Sequence, residues 1–208
     1  MQFFIQTMIE HWPQLRWLSI VILLSILYAL CNRQWFGRPL LHLTLPIDQK
    51  IPLIPWTIYI YNLWYPIMLF TFALLAIYDK AVFSHLIPAY TLSTLASFMI
   101  FIFFQNEVPR LTQVSGNSLA ERLLRFTRKM DNPYNGFPSI HVLACTMTIL
   151  AVQSSTLPDA CKVFIWVSQL MIIAATLTTK QHVVLDLAGG SFMAILGWCL
   201  TINLNVAL

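Results

Sequence analysis

Apolar residues run along the chain in six long blocks separated by polar intervals. The first covers residues 15–31, and a polar, proline-containing loop follows it to about residue 53. The second runs from Ile54 to Tyr78 without a charge. Asp79 and Lys80 then mark a short turn, and the third block ends near Phe104. The fourth starts around Ser139 and fades near Ser155, the fifth covers residues 163–179, and the sixth runs from Val183 to the C-terminus. A helix needs about 20 apolar residues to cross a bilayer. The pattern predicts an all-α polytopic membrane protein with six transmembrane helices, the fourth short enough to tilt or to lean on its neighbours.

One polar interval has a pattern of its own. Between Gln105 and Pro138 stands SLAERLLRFTRKM, where Leu119, Leu123, Leu124 and Phe126 are interleaved with Arg122, Arg125, Arg128 and Lys129. That spacing predicts a short amphipathic helix on the membrane surface, acting as an interfacial brace. Six crossings place both termini on one side and gather the loops 32–53, 105–138 and 179–183 on the other.

Composition supports this reading. Of 208 residues, 10% are charged and 58% are hydrophobic, whereas a soluble domain carries roughly a quarter charged residues. No Gly- or Ser-rich linker and no internal repeat divides the chain, so one membrane domain is expected. The N-terminus lacks a basic region and a cleavage site, so no removed signal peptide is expected. Cys31, Cys145, Cys161 and Cys199 form no C-x-x-C, which argues against a zinc site or redox pair and predicts small buried side chains.

Three polar clusters lie on the face that gathers the long loops. They are FQNEVPRLT with Arg110, FPSIH with Ser139 and His141, and TTKQHVVLD with Lys180, His182 and Asp186. Singly, Arg110 reads as a snorkelling side chain and His141 as a headgroup-level residue. Three ionisable clusters converging at membrane depth point to function instead. The chemistry suits phosphoryl transfer. His182 and Asp186 are four apart and share a face if the last helix begins that early. A carboxylate there accepts the imidazole N–H and leaves the other nitrogen free as a nucleophile. His141 then serves as general acid, Arg110 and Lys180 bind phosphate oxygens, and Ser139 opens a helix whose N-terminus favours an anion.

At these residues the chain resembles the type-2 phosphatidic acid phosphatase superfamily, which includes vanadium haloperoxidases. The family motifs are K-x6-R-P, P-S-G-H and S-R-x5-H-x3-D. Here they correspond to Pro138-Ser139-Ile140-His141 and His182-x3-Asp186, in order and one helical hairpin apart. The loop LTLPIDQKIPLIPW resembles a segment before the second span of bacterial members. The chain departs from the motifs at Phe103 (lysine), Leu111 (proline, with Pro109 on the other side of Arg110), Ile140 (glycine) and Thr176 (arginine). Lys180 is the nearest replacement for the missing cations, with Arg128 or Lys129 from the loop. An aliphatic residue in the P-S-x-H slot is similar to the inositol phosphorylceramide synthase branch.

The resemblance implies a metal-independent enzyme without cofactor. His182 attacks phosphorus, His141 protonates the leaving oxygen, and water or an alcohol resolves the phosphohistidine. It implies a phospholipid or polyprenyl phosphate partner, such as a lipid phosphate monoester or diphosphate, and no nucleic acid. A lipid phosphotransferase is the alternative. A small transporter would want polar residues spread along the spans, and a bis-histidine haem protein would leave Pro138, Ser139 and Asp186 unexplained. Positive charges favour the site face, nine (Arg33, Arg38, Lys50, Arg110, Arg122, Arg125, Arg128, Lys129, Lys180) against three (Arg16, Lys80, Lys162). Six of the nine have a reason to be there other than topology. The family then implies a bacterial inner-membrane protein with a periplasmic site and cytoplasmic termini.

Overall fold

The computed structural model describes residues 6–7, 9–34, 40–110 and 113–208. Arg38, one of the nine cations, and Leu111, the departure beside Arg110, lie outside the described residues. Among the described residues, eight helices define the architecture: α1 (Trp12–Cys31), α2 (Pro46–Lys50), α3 (Pro55–Tyr78), α4 (Lys80–Phe103), α5 (Leu119–Met130), α6 (Ile140–Ser154), α7 (Asp159–Thr178) and α8 (Val184–Asn203). No strand occurs among the described residues. The chain is therefore all-α.

Five of these helices, α1, α3, α4, α7 and α8, are long and apolar enough to cross a membrane, which makes the chain an integral membrane protein. The expectation of six crossing helices is not met by length. With 15 residues, α6 reaches about 22 Å at 1.5 Å per residue, short of a hydrocarbon core of about 30 Å. Its surroundings explain the shortness. Ten of its residues are buried, and it packs on α3, α4, α7 and α8. Leu143, Ala144 and Met147 join Phe72, Phe83 and Leu86 in the main core. A helix covered mostly by protein has little lipid thickness to match.

Helix ends follow local chemistry. Asp79 caps α4 by accepting the Val82 N–H (3.1 Å), and its second oxygen accepts the Thr156 N–H (2.8 Å) beyond α6. Ser118 and Glu121 form a capping box at the start of α5. That helix lies where the sequence places it. Ala120 and Leu124 pack with Ile58, Tyr61 and Ala175 in a satellite core. Leu119 (70% exposed), Phe126 (59%) and Met130 (70%) face outward. The buried-cysteine expectation holds for Cys145 and fails for Cys161 and Cys199, which are exposed on the outer faces of α7 and α8.

At one end of the bundle the loops are stitched together through their backbones. Leu41 N–H donates to the Gln105 carbonyl (3.0 Å), Val108 N–H to Pro133 (2.8 Å), and Asn135 N–H to Asn106 (2.8 Å). Asn135 adopts a positive φ of 61° at the turn that leads into α6.

Candidate active site

Two of the three sequence clusters meet directly. His182 Nδ1 donates to Asp186 Oδ2 at 3.1 Å. The pairing does not come from a shared helical face, because α8 begins only at Val184. Asp186 stands in the first turn and reaches back, accepting the Val183 N–H (3.1 Å) on the same oxygen that holds His182. The helix start and the histidine are thus fixed by one buried carboxylate. Asp186 also accepts the Ser139 N–H on its backbone carbonyl (3.1 Å), which ties the start of α6 to the start of α8. Two glycines permit this approach. A Cβ on Gly190 would collide with the Ser139 carbonyl, and one on Gly136 would come within 2.8 Å of Asp186 Oδ2.

His141 completes the constellation. Its Nδ1 lies 3.3 Å from His182 Nε2. Its ring is held between Tyr61 and Trp64 of α3, with centroids 4.7 and 4.4 Å away. The hydrogen-bond order assigns the tautomers. With Asp186 ionised, His182 carries its proton on Nδ1 and presents a lone pair on Nε2. His141 therefore donates from Nδ1 and keeps Nε2 for other partners.

The cations are placed differently from one another. Arg110 donates from Nη1 to the Arg128 carbonyl (2.7 Å), and Arg128 donates from Nη2 to the Thr179 carbonyl (3.0 Å). This relay runs from the third cluster's loop through α5 to the loop that follows α4. Arg110 Nε is buried and has no partner among the described residues. Burial lowers the Arg110 guanidinium and Asp131 pulls it back up. Burial and the Arg110 charge bring Arg128 down to about 10, and it remains cationic at neutral pH. Lys180, at φ 57°, donates from Nζ to the Asp48 carbonyl (2.7 Å). Lys129 is exposed on α5. Ser139 is fully buried, and its Oγ caps α6 by accepting the Val142 N–H (3.3 Å).

Sequence reasoning missed Asp48. This buried residue accepts the Leu45 N–H on Oδ2 (2.7 Å) and the Val184 N–H on Oδ1 (2.8 Å). With the Lys180 contact to its carbonyl, it brackets His182 two residues before and two residues after. LTLPIDQK signals only the local turn, which Pro46 opens with Asp48 in its first turn, and not the contact to Val184. Asp131 was also missed. It accepts from Tyr28 Oη (3.0 Å) and from Asn32 Nδ2, and burial raises its carboxyl while Arg110 lowers it.

Two cavities adjoin the histidine pair, one of about 480 Å³ lined in part by His141 and one of about 500 Å³ lined in part by His182. Their linings share no residue. Fold and site together define an all-α integral membrane protein with a buried Asp–His–His constellation at one end of its bundle.

The chain belongs to the PAP2 superfamily, the type-2 phosphatidic acid phosphatases and their relatives: that family's model matches residues 29–200. The match includes every candidate site residue, and membership fits a phosphatase-type function. Searches of curated proteins and of solved structures returned no match.

Proposed function

We propose that the chain removes a phosphoryl group from a lipid phosphate monoester or diphosphate through a phosphohistidine on His182. The observation that carries this reading is the Asp186–His182–His141 chain, at 3.1 and 3.3 Å. Asp186 holds the tautomer that leaves Nε2 nucleophilic, and it stabilises the cation that forms when Nε2 bonds to phosphorus. In the resting geometry the His141 N–H occupies that lone pair, so substrate binding must draw His141 aside. Phosphorus then approaches Nε2 to about 3 Å, the reach of a near-attack arrangement. His141 in its protonated form gives its proton to the departing oxygen. In the second half it takes a proton from water or an alcohol, whose oxygen bonds to phosphorus as the P–N bond breaks.

Developing charge on the equatorial oxygens falls to Arg110, Arg128 and Lys180, with Lys129 as a more distant contributor. The unpartnered Arg110 Nε is a donor suited to one such oxygen. Ser139 supports the site by holding the start of α6. Phospholipids and polyprenyl phosphates fit a substrate met at the end of a membrane bundle. The site faces the periplasm in this reading, with both termini in the cytoplasm of a bacterial inner membrane. A phosphate-release screen over lipid phosphates tests the function. Turnover by wild type should fall by about 10² or more in His182→Ala of unchanged fold. Turnover near wild type would overturn the assignment of His182.

A further inference from the structure

A proline interrupts the hydrogen-bond ladder of α4. Pro88 stands inside the helix and has no N–H, so it cannot return the usual bond to the Ser84 carbonyl one turn earlier. Backbone carbonyls seek partners, and here the donor comes from outside the helix. Leu208 N–H donates to the Ser84 carbonyl at 3.1 Å. His85, the next residue, donates from Nδ1 to the Val206 carbonyl at 3.2 Å. Two adjacent residues of α4 thus hold the segment that follows α8.

The way α8 ends aims the segment there. Asn205 adopts a positive φ of 50°. Its N–H donates to the Ile202 carbonyl (3.1 Å), and Val206 N–H reaches back to the Thr201 carbonyl (2.9 Å). That pair of bonds around a left-handed asparagine is a Schellman turn, which reverses the chain. The body of α8 meanwhile holds the other half of α4. Ser93 Oγ donates to the Met193 carbonyl (2.9 Å), and a Cβ on Gly197 would collide with Ser93 Oγ. Pro88 lies between the two attachments, at the kind of residue where helices bend. Beyond it, Tyr90, Thr94 and Phe98 line the cavity that reaches His141.

We propose that residues 205–208 are a clasp that latches a hinge in α4 at Pro88. The clasp gives Ser84 the hydrogen bond that proline denies it. It also fixes the angle between the half of α4 capped by Asp79 and the half that walls the His141 cavity. When the clasp is released, the hinge is free and that wall shifts against α6. Two hydrogen bonds at a partly exposed position are a modest hold, so the clasp opens without unfolding the bundle. The inference rests on the contacts of α4 and α8 and is independent of the phosphohistidine reading.

The test is hydrogen–deuterium exchange on the purified full chain in phosphatidylcholine nanodiscs, read peptide by peptide. Leu208→Pro deletes the N–H donor, whereas Leu208→Ala keeps it and removes only the side chain. The proline variant should exchange the amides from His85 to Phe98 about fivefold faster than wild type, the equivalent of one ordinary hydrogen bond. The alanine variant should stay within about twofold of wild type, and α7 should be unchanged in both. Pro88→Ala restores the N–H inside the helix. Added to Leu208→Pro, it should return exchange to the wild-type rate or below. Wild-type exchange in Leu208→Pro, equal acceleration by proline and alanine, acceleration that includes α7, or acceleration that persists with Pro88→Ala would each overturn the clasp. Acceleration confined to residues before Pro88 would overturn its link to the cavity wall.

Discussion

Asp48→Asn perturbs the site through the backbone groups that flank His182. The carboxylate uses one oxygen for Leu45 N–H (2.7 Å) and the other for Val184 N–H (2.8 Å). An amide of the same shape has a single acceptor oxygen. One of the two backbone donors must then face an NH₂ group. Leaving a buried donor unsatisfied costs about 1–3 kcal/mol, and 1.4 kcal/mol is about tenfold in an equilibrium. The Leu45 contact closes a local turn that residue 48 can rebuild by itself. The long-range contact to Val184 is the one that yields, and the start of α8 relaxes with His182 two residues away. Displacement of a reacting group by about 1 Å costs on the order of 10² in rate. The expected outcome is kcat lowered about ten- to hundredfold, with KM within about twofold of wild type. The assay is steady-state phosphate release from the lipid phosphate that wild type turns over fastest, run beside thermal unfolding. A lowered melting temperature with wild-type kcat would show that Asp48 supports the fold alone and would refute the reasoning.

Three further outcomes follow from the same geometry. Asp186→Asn should lower kcat by about 10² or more with a smaller change in KM, because its amide can donate where His182 needs an acceptor; a pure KM effect in the same assay would place Asp186 in substrate binding. Asp79→Ala should cost about 2 kcal/mol of stability while activity per folded molecule is kept, since it removes the α4 cap and the link to Thr156 at the other end of the bundle. Thermal unfolding across pH tests the sign of that contribution. Burial alone would raise the Asp79 carboxyl, but the Thr156 and Val82 donors prevail and hold it lower. The stabilisation is therefore present above the unfolded carboxyl value of about 3.9 and fades as pH falls through the lower folded value, so the gap between wild type and variant should close only in strong acid.

Much of this architecture was legible along the chain because bilayer thickness writes itself into sequence as block length. Ile54 to Tyr78 and the run after Lys80 announce α3 and α4, and the amphipathic run from Leu119 announces α5. The fourth block was harder to place. Apolar residues look alike whether they face lipid or protein, and only packing reveals that α6 is enclosed. Local spacing likewise paired His182 with Asp186, but it attributed the pairing to a helix face that begins two residues too late. Asp48 and Asp131 were not readable because their partners, Val184 and Tyr28, are distant in sequence. A lone acidic residue in a polar loop gives no local hint of a backbone donor across the bundle. The stacking of His141 between Tyr61 and Trp64 is hidden for the same reason.

The central claim is that phosphorus is carried on His182, and trapping the intermediate tests it most directly. Purified protein is mixed with a lipid substrate radiolabelled at phosphorus, quenched in alkaline denaturant within one turnover, and digested for peptide mapping. The account predicts a covalent label that survives alkali, is lost in acid, resides on the peptide containing His182, and is absent from His182→Ala. Turnover with no covalent label at any quench time, or a label that maps to another side chain such as Ser139, would contradict it.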